Sequence, residues 1–351
     1  MITREQAIAG SPRDKKIYQL NLSIPHGNLN RVLDDVKPLM EEDSGLSIVV
    51  IVGPPGVGKS SLGRRLLRKT LEKYSYLIQE NPAIIPAVMV EVDSPDKKQE
   101  IDFGLFFARI CSALLSPSVL DGFATPKSIS DVIDYTQKSR LMLERAIAGR
   151  DLRHLILDEV IHFLASSTPP EHYGNLLKSL SNRSNFDLLL LGAYGSEEII
   201  HASGQLARRI IILHYQRYTD SADDYKEYAT FMKSVALQMP YQFEIDLEHS
   251  IDYLFEGNFG IPGSSVDVLQ KAAARCSREK YPTRCDDFLV KHMPSIKAQK
   301  EIAMETLRGE ERIQPYLQNQ QRVKYATEEE MRALLAAEQA ERSKLNRNRA
   351  R

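Results

Sequence analysis

The sequence predicts a parallel α/β sheet flanked by helices, followed by a small helical subdomain and a charged helical C-terminal tail. Short runs rich in Val, Ile and Leu recur through the first part of the chain, with helical patterns between them. A glycine-rich segment follows the first run, and the strand-like runs stop at about Tyr218. Strands that alternate with helices in this way form parallel sheets with right-handed crossovers, so the order of the elements predicts the fold class.

The composition is that of a globular protein, with 351 residues of which 42% are hydrophobic and 26% are charged. Lys and Arg number 46 against 47 for Asp and Glu, which excludes a polycation, so any nucleic-acid contact must come from a local patch. No apolar run approaches the roughly 18 residues that cross a bilayer, and the N-terminus lacks a secretory apolar core. We therefore expect a cytoplasmic protein without membrane contact. The few scattered cysteines predict neither a disulfide framework nor a zinc site.

Hydrophobic periodicity gives the order of the predicted elements. The first 20 residues are polar, and we expect them to be loosely held. The predicted strands are residues 46–52, 87–92, 152–157, 186–191 and 210–214. The predicted helices are the one that follows the glycine-rich segment and ends near residue 74, and those at residues 28–40, 103–115, 129–148, 172–181, 221–237, 247–255, 264–278 and 327–343.

These elements divide the chain into four expected segments. They are an N-terminal extension (1–25), an α/β domain (26–220), a helical lid subdomain (221–294) and a charged helical tail (295–351). A capping box of Thr327 and Glu330 marks the start of the last helix in the tail.

The glycine-rich segment fits the phosphate-loop pattern G-x-x-x-x-G-K-S/T, between a buried strand and a helix. Its residues are Gly53, Pro54, Pro55, Gly56, Val57, Gly58, Lys59 and Ser60. The glycines let successive N–H groups face one point at a helix N-terminus, which makes an anion site. We expect Lys59 to reach the β- and γ-phosphates of ATP, Ser60 to ligate Mg²⁺, and Ser61 to support the loop.

An acidic pair follows the third predicted strand. Asp158 is expected to hold Mg²⁺, mostly through water, and Glu159 to polarise the attacking water as a general base. The alternative is a pair of carboxylates that caps a helix. Asp93 after the second strand is a weaker competitor because it lacks a paired acid. Two acids favour hydrolysis over phosphoryl transfer to a small molecule.

The segments after the fourth strand and before the fifth strand carry further candidates. After the fourth strand the first positions are Gly192 and Ala193, so only Tyr194 or Ser196 is available as a polar sensor. Before the fifth strand, Arg208 and Arg209 are either solvated surface residues or an arginine finger that enters the nucleotide site of a neighbouring subunit. The second interpretation requires oligomerisation for catalysis.

Four stretches, GPPGVGKSSL, LILDEVIHFL, LLLLGAYGSEEII and SGQLARRIIILHYQRY, resemble the AAA+ transposition regulators of Tn7-like elements, the TnsC/TniB group. The match runs from about His26 to Tyr218, and the last stretch is the specific part. The resemblance implies an AAA+ ATPase that forms rings or helical filaments on duplex DNA and connects a target-selecting protein to transposase subunits. ATP hydrolysis would then control disassembly.

The resemblance also implies roles for individual residues. Gly53, Gly58, Lys59 and Ser60 take the phosphate-loop roles, Asp158 and Glu159 the metal and water roles, and Arg208 and Arg209 the trans-acting arginine positions. This sequence departs from the group at two positions. Ala193 stands where Thr is usual, and the segment 260–263 lacks the arginine of the common second sensor, which predicts weaker binding of the nucleotide by the lid subdomain.

DNA contacts are predicted at Lys97 and Lys98, in the loop after the second strand, as phosphate contacts without sequence reading. A solvated loop is the alternative. The basic stretch 342–351 is either a DNA-binding or transposase-docking tail, or a solubilising one.

Two other functions remain open at this point. One is a cytosolic initiator-type or signalling-type P-loop switch, which usually carries an appended winged-helix or repeat domain; no clear reading motif follows Tyr218. The other is a nucleotide-gated scaffold without catalysis, against which Lys59, Asp158 and Glu159 argue.

Overall fold

A computed structural model describes residues 2–22, 24–41, 48–95, 101–114, 129–165, 173, 176–177, 186–202, 210–278 and 285–317. Met1–Tyr316 form one compact unit, and Leu317–Arg351 form a second one, of which only Leu317 is described. No described helix combines the length and the apolar character that a membrane span requires.

The core of the first unit is a parallel sheet of five strands in the order β2-β3-β4-β1-β5. The strands are β1 (Ile48–Val52), β2 (Ala87–Glu91), β3 (His154–Asp158), β4 (Asp187–Gly192) and β5 (Ile210–His214). Val52 of β1 pairs with Gly192 of β4 and with His214 of β5, so the carboxyl ends of these three strands meet at one edge. The predicted fold class, a parallel sheet flanked by helices, is confirmed.

The central strands are buried on both faces, as their continuous β-branched and leucine-rich sequences predict. The helices around the sheet are α1 (Arg4–Ala9), α2 (Pro12–Asn21), α3 (Gly27–Leu39), α4 (Lys59–Lys73), α5 (Ser75–Glu80), α6 (Phe103–Ala113), α7 (Ile129–Arg150) and α8 (Ile161–Leu164). On one face, apolar residues of α3 and α4 form a single buried cluster with side chains of β1, β3 and β4.

Beyond the sheet the chain is helical. The helices are α9 (Ala222–Gln238), α10 (Leu247–Gly257), α11 (Pro262–Cys276), α12 (Asp286–His292) and α13 (Ile296–Ile313). We refer to α9–α12 as the lid helices. They share a buried cluster built on Tyr228, Met232 and Leu269. Side chains of Ser221, Asp246 and Ser295 cap α9, α10 and α13, which explains why each helix begins there.

The N-terminus differs from the sequence-based expectation of a loosely held segment. Thr3 with Gln6, and Ser11 with Asp14, form capping boxes that begin α1 and α2. The Arg4 guanidinium donates to the Met239 carbonyl at the end of α9, at 3.0 Å. Local capping and a contact far along the chain therefore order a segment whose composition is polar.

Two predicted helices cannot be compared in full. The helix at 172–181 falls outside the described residues except for Tyr173, Leu176 and Leu177, and the helix at 327–343 lies wholly outside them. By contrast, the first part of the predicted tail forms α13, whose residues Thr306, Gly309 and Ile313 are buried.

Candidate nucleotide-binding site

The glycine-rich segment forms the turn between β1 and α4, and Lys59 is the first residue of the helix. Gly58, just before it, has a φ of 111°, a left-handed conformation that a side chain disfavours. Gly53 lies against the backbone of Tyr215, whose carbonyl oxygen a Cβ at position 53 would overlap. The sequence therefore folds here into a tight loop that ends at the N-terminus of α4, and a helix N-terminus favours a bound anion.

Lys59 is buried inside this loop. Its Nζ donates to the carbonyl oxygens of Gly53 and Pro54, each at 2.9 Å. Burial lowers the pKa of Lys59 to about 8, while the nearby carboxylates of Glu159 and Asp158 act in the opposite direction. The ammonium group is thus desolvated and within electrostatic reach of both acids, although about 100 residues separate them along the chain.

The acidic pair stands at the end of β3. Asp158 is its last residue and is buried, and its Oδ1 accepts a hydrogen bond from the Glu159 N–H at 3.0 Å. Glu159 has a φ of 57°, which is left-handed and costly for a side chain of this size. Asp93, the weaker competitor, forms an ion pair with Arg109 at 2.7 Å, so its carboxylate is already partnered.

The other predicted site residues divide into two groups. Ser60 is half-buried and Ser61 exposed in the first turn of α4, while Val57 is fully buried and belongs to the cluster beneath the sheet. Pro55 and Gly56 form the exposed crown of the loop, and Pro54 is buried below it. Four predicted residues lie outside the described part of the chain: Lys97, Lys98, Arg208 and Arg209.

The segment that leaves β5, His214–Tyr218, makes side-chain contacts that sequence reasoning missed; we call it the β5 exit segment. The Tyr215 hydroxyl lies beneath Gly58, 3.2 Å from where a Cβ of that residue would stand. The same hydroxyl is 3.2 Å from Nε2 of His26, and Nδ1 of His26 is 2.8 Å from the Tyr218 hydroxyl. Tyr215, His26 and Tyr218 are therefore joined by hydrogen bonds, and packing contacts connect this trio to Gly58 of the phosphate loop at one end and to Tyr228 of α9 at the other.

His26 is the centre of this chain. Its ring lies 4.7 Å from the ring of Phe231 on α9. Burial lowers the pKa of His26 to about 4, so the imidazole is neutral at pH 7. Burial also raises the pKa of Tyr218 to about 12. The network is therefore uncharged and serves to join elements, not to transfer charge.

Polar side chains are scarce in the loop after β4, residues Ala193–Ser196, which we call the β4 loop. Ala193 is half-exposed and has no polar atom in its side chain. The Tyr194 hydroxyl is 2.8 Å from Nε2 of His214, and burial lowers the pKa of His214 to about 4. Ser196 Oγ is buried against Gly192 without a hydrogen-bond partner among the described residues. Neither candidate sensor presents its hydroxyl to solvent.

The N-terminus of α11 contacts the phosphate loop directly. The Gly263 N–H donates to the Gly56 carbonyl at 2.8 Å, and Ser264 lies next to Gly56. The start of this helix therefore contacts the loop through its backbone.

A cavity of about 270 Å³ opens beside the loop. Its apolar wall comes from the segment before α3 and from the lid helices, with Ile24, Leu29, Phe231 and Val266. Val57 and Gly58 of the phosphate loop form its floor, and Gln19, Gln270 and arginines of α4 form its polar rim. An apolar slot with polar edges, next to an anion site, has the chemistry of a pocket for a flat heterocycle.

Comparisons with known proteins agree with this geometry. The model of the family described as AAA domain matches residues 42–200. Together with the parallel sheet of five strands, this match shows that the chain has the AAA+ fold. No curated protein matches the chain.

Among solved structures, the chain is similar to the Aeropyrum pernix ORC1 protein in complex with DNA, with 15% identity, a TM-score of 0.52, and coverage of 85% of this chain and 69% of that one. It is also similar to a Walker-type ATPase of Pyrococcus abyssi, with 15% identity, a TM-score of 0.46, and coverage of 82% and 75%. At 15% identity, the similarity to the ORC1 structure shows the AAA+ fold alone.

Proposed function

We propose that the protein is an AAA+ ATPase that binds ATP with Mg²⁺ and hydrolyses it to ADP and phosphate. The observation that carries this proposal is the convergence of buried Lys59 with Asp158 and Glu159 at one edge of the sheet. A desolvated ammonium group inside a turn of N–H groups is suited to a polyphosphate. The adjoining carboxylates are suited to a hard divalent cation and to water.

The residues present fit both groups. Lys59 would bind the β- and γ-phosphates, Ser60 and Asp158 would hold Mg²⁺, and Glu159 would accept a proton from water. The metal supplies electrostatic stabilisation of the phosphate charge. The purine base would lie in the cavity beside the loop, against Phe231 and Val266, which places the lid helices in contact with the nucleotide.

Hydrolysis is tested with Glu159→Gln. We expect phosphate release to fall by about 100-fold or more, because a general base contributes 10²–10⁴-fold. The Kd for ATP should stay within about twofold, since Gln preserves the shape of Glu159. Glu72→Gln, which alters an exposed carboxylate on α4, is the matched control. Normal turnover in Glu159→Gln would remove the proposed base, and no turnover in the wild type would contradict the ATPase itself.

We further propose that the ATPase acts in DNA transposition, as a ring or filament on duplex DNA that links a target-selecting protein to transposase subunits. The support is the sequence resemblance to the TnsC/TniB group, in particular the stretch that ends in the β5 exit segment. In this proposal Lys97 and Lys98 contact the DNA backbone, and Arg208 and Arg209 act on the nucleotide of a neighbouring subunit.

The trans arginine is tested by mixing variants. A double Arg208→Ala, Arg209→Ala variant and a Lys59→Ala variant should each be inactive alone. Their mixture should regain turnover, because the second variant still supplies arginines to the intact sites of the first. A mixture as inactive as its parts would contradict a finger in trans. Electron microscopy with duplex DNA and an ATP analogue should show ATP-dependent assemblies.

An initiator-type switch is the second candidate, and the similarity to the Aeropyrum pernix ORC1 structure favours it. The two candidate functions, transposition regulator and initiator-type switch, differ in how the protein would recognise DNA. A transposition regulator that tracks the backbone should bind unrelated duplexes with similar affinity that falls steeply with salt. A strong preference for one duplex sequence at fixed salt would favour the initiator.

A further inference from the structure

The helix α13 returns to the nucleotide edge of the sheet and contacts the ends of both β4 and β5. Gly309 lies against Tyr194, and a Cβ at 309 would overlap the tyrosine ring. Glu310 accepts a hydrogen bond from Nε of Arg217 at 2.9 Å, and Arg312 donates from Nε to Oε1 of Glu197, also at 2.9 Å. The helix α13, which the sequence analysis assigned to the charged tail, is thus packed against the core through three contacts, at Gly309, Glu310 and Arg312.

Glu197 is the unusual member of this set. Its side chain is fully buried, whereas that of Arg312 is 48% exposed. Both carboxylate oxygens are used: Oε1 accepts from Arg312, and Oε2 accepts from the Gly195 N–H at 2.7 Å. A buried carboxylate is rarely the cheapest way to stabilise a fold, because it loses its hydration and apolar residues of similar volume do as well or better. The carboxylate therefore joins two particular elements, the β4 loop and α13.

The β4 loop in turn supports the acidic pair. Gly195 lies against Ile161, whose Cδ1 is 3.1 Å from where a Cβ of residue 195 would stand. Gly192 lies against Val160, and the Val160 N–H donates to the Leu191 carbonyl at 3.1 Å. Val160 and Ile161 directly follow Glu159 in the chain. Glu159 has a left-handed backbone conformation, which the residues packed around it must maintain.

We infer that Arg312 is a positioning residue for Glu159, acting through Glu197 and the β4 loop. The inference rests on the proposed ATPase activity, in which Glu159 activates water. Without the guanidinium group, Glu197 loses its ion-pair partner and its carboxylate can move. Because that carboxylate also accepts from the Gly195 N–H, the β4 loop then moves away from Ile161, next to Val160 and Glu159. Lys59 and the cavity beside the phosphate loop are not part of this chain of contacts. Turnover should therefore change while nucleotide binding does not.

The test is Arg312→Ala, with Arg308→Ala on the exposed side of the same helix as the matched control. We expect kcat for ATP hydrolysis to fall about 10- to 100-fold, the scale of a misplaced catalytic group. The Kd for a fluorescent ATP analogue should stay within about twofold, and Arg312→Lys should recover part of the lost rate. Equal kcat in Arg312→Ala and Arg308→Ala would overturn the inference, as would a parallel loss of binding and turnover.

A double-mutant cycle shows whether the effect passes through the acid. In the Glu159→Gln background, Arg312→Ala should lower the residual rate by less than about twofold, because the group it positions is already gone. An undiminished further loss would contradict the route.

If Arg312→Ala does not fold, Glu197→Gln takes its place. This substitution removes the buried negative charge, so no carboxylate is left without its cation. The same separation of kcat from Kd is expected, and wild-type kcat in folded Glu197→Gln would overturn the inference. Absence of turnover in the wild type would instead count against the proposed function.

Discussion

The two sides of the candidate nucleotide site are held in different ways. On the phosphate-loop side, the hydrogen bonds of the Lys59 side chain are local, since its Nζ donates to carbonyls only five and six residues earlier. On the side of the β4 loop and the β5 exit segment, side chains pair with partners 93 and 192 residues away, as in Arg217–Glu310 and His26–Tyr218. The Lys59 side chain, which we call the local side, belongs to the proposed phosphate site, and the long-range side joins that site to the rest of the molecule.

This contrast predicts a division of effects. Changes to the Lys59 side chain should alter nucleotide binding without loss of stability, because its two hydrogen bonds are to carbonyls of its own loop. Changes on the long-range side should lower the free energy of unfolding, because each removes a link between separate segments.

The largest effect is expected for Lys59→Ala. The Kd for ATP should rise by about 100-fold, since the lost charge-assisted hydrogen bonds to phosphate are each worth about 1.5–3 kcal/mol. Titration of a fluorescent ATP analogue measures this, with Lys69→Ala on the exposed face of α4 as control. The free energy of unfolding should not fall, because a buried charge is removed. Unchanged affinity would show that the local side is not the phosphate site.

His26→Ala should have the opposite profile. It removes packing against Phe231 and leaves the hydroxyls of Tyr215 and Tyr218 without their imidazole, at a cost of about 2–4 kcal/mol in the free energy of unfolding. Urea denaturation measures the change. The control is His249→Ala, because the His249 side chain is 89% exposed. If both variants unfold at the same urea concentration, the network does not join the segments it touches.

Acidic pH should lower the free energy of unfolding through the two buried histidines of the long-range side. The pKa of His26 and of His214 is lowered to about 4, below the ordinary value of 6.5, so the unfolded chain binds protons more readily. Stability is therefore fully present above about pH 6.5 and is lost as the pH falls toward 4. At pH 5 we expect a loss of about 1–2 kcal/mol for each histidine. Urea denaturation at pH 7 and pH 5 should show a smaller loss in His26→Gln; an equal loss would mean that another group titrates.

The smallest effect is expected for Arg217→Ala. Arg217 pairs with Glu310 and stacks 3.9 Å from the centroid of the Phe259 ring, and both charged side chains are mostly buried. Loss of these contacts should lower the free energy of unfolding by about 1–2 kcal/mol. Arg217→Lys should recover only part of the lost free energy of unfolding, because an ammonium group lacks the planar face that stacks on the Phe259 ring. Full recovery would assign the effect to charge alone.

The sequence predicted the strand, loop and helix that build the local side, whereas it gave no indication of the long-range contacts, and the reason is physical. Gly53–Ser60 carry their geometry in their own spacing, and Asp158 is the last residue of a strand whose burial is visible in its composition. His26 and Arg312 carry no such local pattern, because their partners are set by tertiary packing. One signal was available: Gly309 interrupts an otherwise good amphipathic helix, and an isolated glycine there often marks a close approach.

The return of α13 to the sheet has a practical consequence for anyone who shortens this protein. A cut at residue 294, where charged residues begin to dominate, would delete the cation that faces Glu197 and uncover the ring of Tyr194. A chain ending at Tyr316 keeps the first compact unit whole. The useful boundary lies some 20 residues beyond the one that composition suggests, and a fragment trimmed too early would lose the contacts of α13 with the β4 loop and the β5 exit segment.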